Sequence, residues 1–346
     1  MDQIESRKDE HVRIALEEDV RASYNFWDDV VLTHNALPEI NKDKISLDTS
    51  LFHKPLKAPI IISGMTGGYH KAEKINERLG EAAEYFQIGM GVGSQRAALE
   101  NPSLKKTYSI IKDLDIPLKI ANIGASQLVI WGHQRTVEEV QRIIEMINAD
   151  AVAVCLNFLQ EVIQFEGEAE AKGCLEQIKL LADAIDIPIM VKESGAGISF
   201  EVANRLAHTN IAAIDVGGMS GTSFAAIEHY RAKMHFDQLH ARGGKTFWNW
   251  GIPTPQSVID AGEATDWSIP IIATGGIRNG LDAAKALAIG ARCAGVAYAL
   301  LAPAMKSKQE TLFELDALLK ELRAAMFLTG KDSIEAFSEV EATVWM

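Results

Sequence analysis

From about residue 58 onward, short apolar runs alternate with longer amphipathic stretches. The runs are Ala58–Ser63, Ile88–Val92, Leu118–Asn122, Ala151–Asn157, Pro188–Glu193, Ala212–Val216, Pro270–Thr274 and Cys293–Ala297. Each is too short for a helix and nearly continuous in its apolarity, as in strands buried on both faces of a parallel sheet. Between them, Lys71–Phe86, Val137–Ile147 and Leu281–Ile289 repeat apolar residues every three or four positions, the period of a helix packed on one face. Eight strands alternating with helices admit a (β/α)₈ barrel or a large doubly wound sheet, and the near-even spacing favours the barrel. The predicted fold class is therefore α/β, a TIM barrel over residues 58–346 with an N-terminal extension over 1–57. The extension stands outside the repeat and carries its own helix near Asp9–Val20. The segment Gly217–Pro255 is long for one strand-to-helix connection, which predicts a lid or an active-site loop.

Composition narrows the partners. A chain of 346 residues, 47% hydrophobic, can form one large barrel domain. Its formal net charge of −13 opposes nonspecific binding to nucleic acid or anionic membranes. Any phosphate site must be a local cluster of cations and backbone amides. Cys155, Cys174 and Cys293 form no CxxC pair and show no metal-ligand spacing with histidine, which suits a reducing compartment. The N-terminus is charged throughout, and no apolar run approaches the ~20 residues of a membrane span. A soluble, cytoplasmic protein is expected, with neither nucleic acid nor membrane as partner.

In a barrel the loops at the C-terminal ends of the strands build the active site. Here those ends carry polar residues and glycines strand after strand: Gly64–Gly68, Gly93–Arg96, Asn122–Ala125, Asn157–Glu161, Lys192–Gly195, Gly217–Ser223 and Thr274–Gly280. Gly275-Gly276-Ile277-Arg278 precedes a helix, so it is either an ordinary turn or a loop whose amides face a phosphate. Lys192 ends a buried strand, where it either meets an anion, such as the charge on a reduced flavin ring, or snorkels to solvent. Near Asn157, the amide of Gln160 can orient a substrate, and the carboxylate of Glu161 can ligate Mg²⁺ or simply be solvated. Arg7-Lys8 is a diphosphate clamp or a charged tail. His11, His34 and His235 show no partner along the sequence and read as surface or packing residues.

Taken in order, Ser6–His11, His34–Glu39, Met65–Gly68, Ser94–Arg96, Asn122, Leu156–Glu161, Val191–Glu193, Gly217–Ser223, Trp250–Thr254 and Thr274–Arg278 resemble the type 2, FMN-dependent isopentenyl diphosphate isomerases. The Trp250–Thr254 segment is similar to archaeal members. The resemblance implies that Met65, Thr66, Gly67, Ser94, Asn122, Lys192, Thr222, Gly275, Gly276, Ile277, Ala297 and Tyr298 hold FMN. It implies that Arg7, Lys8, Ser94, Gln95, Arg96, Asn157 and Gln160 hold the substrate, and that Glu161 holds Mg²⁺. Arg7 and Lys8 would close on the diphosphate, and a homo-oligomer is expected. Cys155 departs from the family pattern, which usually has histidine two residues before the asparagine of the Leu156–Glu161 segment. A thiol cannot replace an imidazole as donor or charge.

The implied reaction interconverts isopentenyl and dimethylallyl diphosphate. No strong acid stands at the strand ends for alkene protonation, which fits an acid–base role for reduced FMN at N5, with NAD(P)H as reductant and Gln160 orienting the substrate. The rivals are an FMN-dependent hydroxy-acid dehydrogenase or oxidase and a non-catalytic flavin-binding relative. The former needs a histidine base beside the flavin, and the sixth strand ends in Gly217-Gly218.

Overall fold

The computed structural model describes residues 3–345. Eight strands close a parallel barrel: β1 (Ile60–Ile62), β2 (Gly89–Gly91), β3 (Leu118–Gly124), β4 (Ala151–Cys155), β5 (Ile189–Lys192), β6 (Ala213–Asp215), β7 (Ile271–Thr274) and β8 (Cys293–Val296). β8 returns to pair with β1, Ala294 opposite Ile60. Seven of the eight predicted runs contain their strand, and the third, Leu118–Asn122, falls two residues short of the end of β3 at Gly124.

Alternation along the strands separates two cores. Ile61, Leu118, Ile120, Ala151, Ala153, Met190, Ala213, Ile272 and Cys293 cluster together, while Ile60, Ile62, Val152, Val154, Val191, Ile214 and Val296 pack in the larger core with the helices. A hairpin of Thr49–Leu51 and Lys54–Leu56 adds Leu51 and Leu56 to the first cluster. Its two-residue turn, Phe52-His53, has both φ values positive, at 52° and 61°, as a twist-matched hairpin requires.

The extension joins the barrel's own core. Helix α1 (Gln3–Glu17) begins earlier than the pattern suggested, and Ile14, Val20, Trp27, Val30, Ile45 and Leu47 are buried in the larger cluster. Val30–Leu32 pairs antiparallel with Ala342–Val344, so a strand of the extension and the last strand of the chain form one ribbon. Among the barrel helices, α2 (Ala72–Phe86) matches its predicted span, whereas α3 (Ala125–Ile147) starts twelve residues before the predicted Val137. Gly132, at φ 70°, breaks α3 and interrupts the apolar period there. The segment predicted as a lid or loop is a helical hairpin, α4 (Phe224–Met234) and α5 (Gln238–Thr246), inserted before the helix Thr254–Ala264. Side-chain oxygens of Ser223 and Asp237 cap the two helices of the hairpin. After β7, α6 (Gly280–Ala288) is capped by Asn279.

Candidate active site

A cavity of about 1160 Å³ opens at the C-terminal ends of the strands. Nearly every residue singled out from the sequence lines it, from Met65, Thr66 and Gly67 after β1 to Ala297 and Tyr298 after β8, together with Arg7 and Lys8 from α1. Gln95 does not. Expected at the substrate, it is fully buried behind the wall. Its Nε2 donates to the Ile143 carbonyl at 3.0 Å and its Oε1 accepts from the Asn122 N–H at 3.0 Å. An amide whose donor and acceptor both serve the backbone is a brace for β3, not a ligand contact.

The glycine loops after β6 and β7 interlock. Gly275 and Gly276 have φ of 118° and 79°, and a Cβ on Gly276 would lie 2.5 Å from the Ser220 carbonyl oxygen. A Cβ on Gly221 would lie 2.5 Å from the Gly276 nitrogen. Only glycine meets both constraints at Gly276. Asn122, on β3, lines the cavity and carries a buried Oδ1 with no partner among the described residues. An unpaired buried acceptor costs about 1–3 kcal/mol, and a donor from a bound group would satisfy it.

Lys192 does not snorkel. It is 7% exposed, with Nζ 3.1 Å from the Glu193 carbonyl and 3.9 Å from Cys155 Sγ. Burial works to lower its pKa, but the Asp215 and Glu193 carboxyls around it work the other way, and the net direction is up. It is thus held cationic at the cavity wall, able to face developing negative charge. Burial pushes the Cys155 thiol up, so it stands there neutral. Glu193 is buried and raised to about 7, although the N–H groups of Ser194, Gly195 and Ala196 all donate to one of its oxygens.

Cations gather where α1 meets the loop after β2. Lys8 donates to the Ser94 carbonyl and to the Tyr108 hydroxyl. Burial, with Arg7 and Arg96 nearby, lowers its pKa to about 7. Arg96 is held by Glu100 at 2.6 Å and by Glu168. The Glu168 N–H donates to Glu161 Oε2, which also accepts from Gln164, while Asn157 Nδ2 donates to Glu161 Oε1 at 2.8 Å. Glu161 is therefore aimed rather than loose. Among the described residues no group of three metal-ligating side chains surrounds it. A lone carboxylate fits Mg²⁺ held mainly by substrate phosphates and water.

Some contacts around the cavity were not visible in the sequence. His11 and His235, read as surface or packing residues, pair with Glu228 (2.7 Å) and Glu10 (3.1 Å). His11 lines the cavity. Arg231, on α4, binds Glu10, Glu166 and Glu228 at once under the ring of Phe165. Glu10 and Glu166 lie 156 residues apart in sequence, and no local spacing announces such a cluster. Asn25 and Trp27 reach the β7 loop in the same long-range way.

Residues 157–343 match the model of the FMN-dependent dehydrogenase family. A mandelate oxidase with benzoyl-formic acid shares the fold at TM-score 0.64 and 16% identity, covering 93% of this chain and 89% of that one. A Pediococcus acidilactici putative lactate oxidase does so at TM-score 0.64 and 18% identity, over 92% and 84%. The isopentenyl-diphosphate delta-isomerase of Archaeoglobus fulgidus is 42% identical over 98% of this chain and 95% of its own length. The enzyme of that name from Thermoplasma volcanium is 46% identical over 96% and 94%. Identity sustained across both chains, together with the matching flavoprotein segment, establishes that this chain belongs to the isopentenyl-diphosphate delta-isomerase family of FMN-dependent barrels.

Proposed function

We propose that the protein interconverts isopentenyl diphosphate and dimethylallyl diphosphate, using FMN in its reduced form and Mg²⁺, with NAD(P)H as the reductant. One observation carries the reading: two phosphate-competent features converge on one cavity, the glycine loops after β6 and β7 and the Arg7, Lys8 and Arg96 cluster beside Glu161. A flavin monophosphate and a substrate diphosphate each need one of them. The glycine loops, Met65, Thr66, Gly67, Ser94, Asn122, Thr222, Ala297 and Tyr298 would hold FMN, and Glu161 would hold Mg²⁺ on the diphosphate.

The isomerisation adds a proton at the terminal alkene carbon and removes one from the carbon on the other side. When bound and reduced, FMN supplies a proton donor and acceptor at N5. The protein supplies placement and charge. Arg7, Lys8 and Arg96 anchor the diphosphate, and Gln160 and Asn157 orient the chain leading to the alkene. Lys192 keeps a buried positive charge at the wall. Cys155 presents a neutral thiol there and adds no charge.

The oxidase fold of the structural neighbours leaves a redox alternative, to which His11, on Glu228, offers a base. Anaerobic incubation with isopentenyl diphosphate, FMN and Mg²⁺ after reduction by dithionite or NAD(P)H separates the two. Dimethylallyl diphosphate should accumulate over many turnovers per reducing event, with deuterium incorporated from D₂O. One reductant consumed per product, or full activity with oxidised FMN, would overturn the proposal.

A further inference from the structure

Residues Val20–Asp28 run from α1 along the loops that follow β6 and β7. The Ala22 N–H donates to the Gly221 carbonyl at 2.7 Å, and the Ser223 N–H to the Val20 carbonyl at 2.8 Å. Asn25 Nδ2 donates to the Gly276 carbonyl at 2.8 Å, and Trp27 Nε1 to the Gly275 carbonyl at 2.8 Å. The segment is itself fixed. Trp27 is fully buried, its N–H is capped by Asn25 Oδ1 at 3.1 Å, and its carbonyl accepts from Lys285 Nζ at 2.6 Å.

A trans peptide is planar, with its C=O and N–H pointing opposite ways. Holding the Gly275 and Gly276 carbonyls therefore fixes where the N–H groups of Gly276 and Ile277 point. Both residues line the cavity, and neither N–H has an acceptor among the described residues. Glycine peptides at positive φ have no side chain to hold their planes, so the lock must come from elsewhere. Here it comes from the extension.

We propose that Asn25 and Trp27 are positioning residues for a phosphomonoester. They lock two peptide planes of the β7 loop so that its amides form a preorganised anion site. This rests on the reading of the loop as the FMN phosphate site. It makes the extension part of cofactor recognition as well as of substrate recognition. Trp27 acts wholly through the loop, since it does not line the cavity.

The test is titration of apo-protein with FMN and with riboflavin, which lacks the phosphate, followed by flavin fluorescence. Wild type should bind FMN far more tightly than riboflavin. Trp27→Phe removes the indole donor and keeps an aromatic ring, and Asn25→Ser keeps a capping oxygen without reaching Gly276. Each should weaken FMN by about fivefold to tenfold, the worth of one net hydrogen bond, and leave riboflavin within about twofold. Equal losses for both flavins, or no loss for FMN, would overturn the positioning role. Should Trp27→Phe not fold, Asn25→Ser decides, because it alters only a half-buried residue. A wild type that binds both flavins equally would instead remove the phosphate-loop reading on which the proposal rests.

Discussion

The Lys8 ammonium on α1 lies 2.7 Å from the Ser94 carbonyl at the end of β2, so the extension is docked where the cations converge. The contact leaves Lys8 among Arg7 and Arg96, and burial is the largest reason its pKa falls to about 7. At pH 8 much of the free protein should therefore carry a neutral amine there. A diphosphate dianion favours the ammonium. Inorganic pyrophosphate binding at pH 8 should take up protons, seen as a buffer-dependent calorimetric heat, and Lys8→Met should abolish the uptake. The same shift has a stability consequence. The unfolded chain binds more protons than the folded one between pH 7 and the ordinary lysine range, so stability should rise with pH across that window. In Lys8→Met the rise should flatten.

Glu161 accepts from Asn157, Gln164 and the Glu168 N–H, and this aims its carboxylate. Glu161→Gln should raise the Mg²⁺ concentration needed for half-maximal activity while leaving FMN affinity unchanged. Gln160→Ala should lower turnover instead, since small misplacements of a reacting atom can cost ~10²-fold. Steady-state kinetics across a Mg²⁺ series checks both, and wild-type behaviour in the two variants would remove this segment from the site.

Arg231 ties α1 to the barrel mouth through Glu10, Glu166 and Glu228. Burial raises the Glu228 carboxyl, but His11 and Arg231 outweigh it and hold the net value low; for Glu10, Arg231 and His235 do the same. Arg231→Met should destabilise the protein by roughly 3–5 kcal/mol, because it strands a buried carboxylate. Hydrogen exchange should show protection lost over residues 3–17 beyond that lost in the barrel. Both carboxyls have lowered folded pKa values, so their contribution is present above the ordinary carboxylate range and lost as pH falls through the folded values. Acid should therefore release α1 before the barrel melts. Uniform loss of protection would contradict this.

Gly276 takes φ 79° with a Cβ position 2.5 Å from a carbonyl oxygen. Gly276→Ala should displace the loop, at a strain of about 1–3 kcal/mol. FMN released on gel filtration measures it, and retention at wild-type occupancy would count against a phosphate at this loop.

Much of the barrel was legible in the sequence because a strand buried on both faces must be apolar along its length. Ala58–Ser63 and its seven counterparts each mark a strand on that ground, although β3 runs on past Asn122 to Gly124. Helix starts were less legible. Gly132 breaks the period inside α3 and hid its first turns, and the charged residues Glu228 and Arg231 on the buried side of α4 erased the apolar period that would have announced a helical hairpin. Of the residues read as candidate ligand contacts, Gln95 lies behind the wall, because its neighbours in sequence cannot reveal that its amide faces Ile143 and Asn122.

What the sequence alone determined is the repeating unit and the end of the barrel where chemistry collects, both set by local period and by the residues ending each strand. What only tertiary structure decided is which distant groups meet there. Arg231 meets Glu10 across 221 positions, and Trp27 meets Gly275 across 248. The reason is physical. Apolar period acts over a few residues of chain, whereas a buried charge or a peptide carbonyl can take its partner from any segment that packing brings within hydrogen-bonding distance.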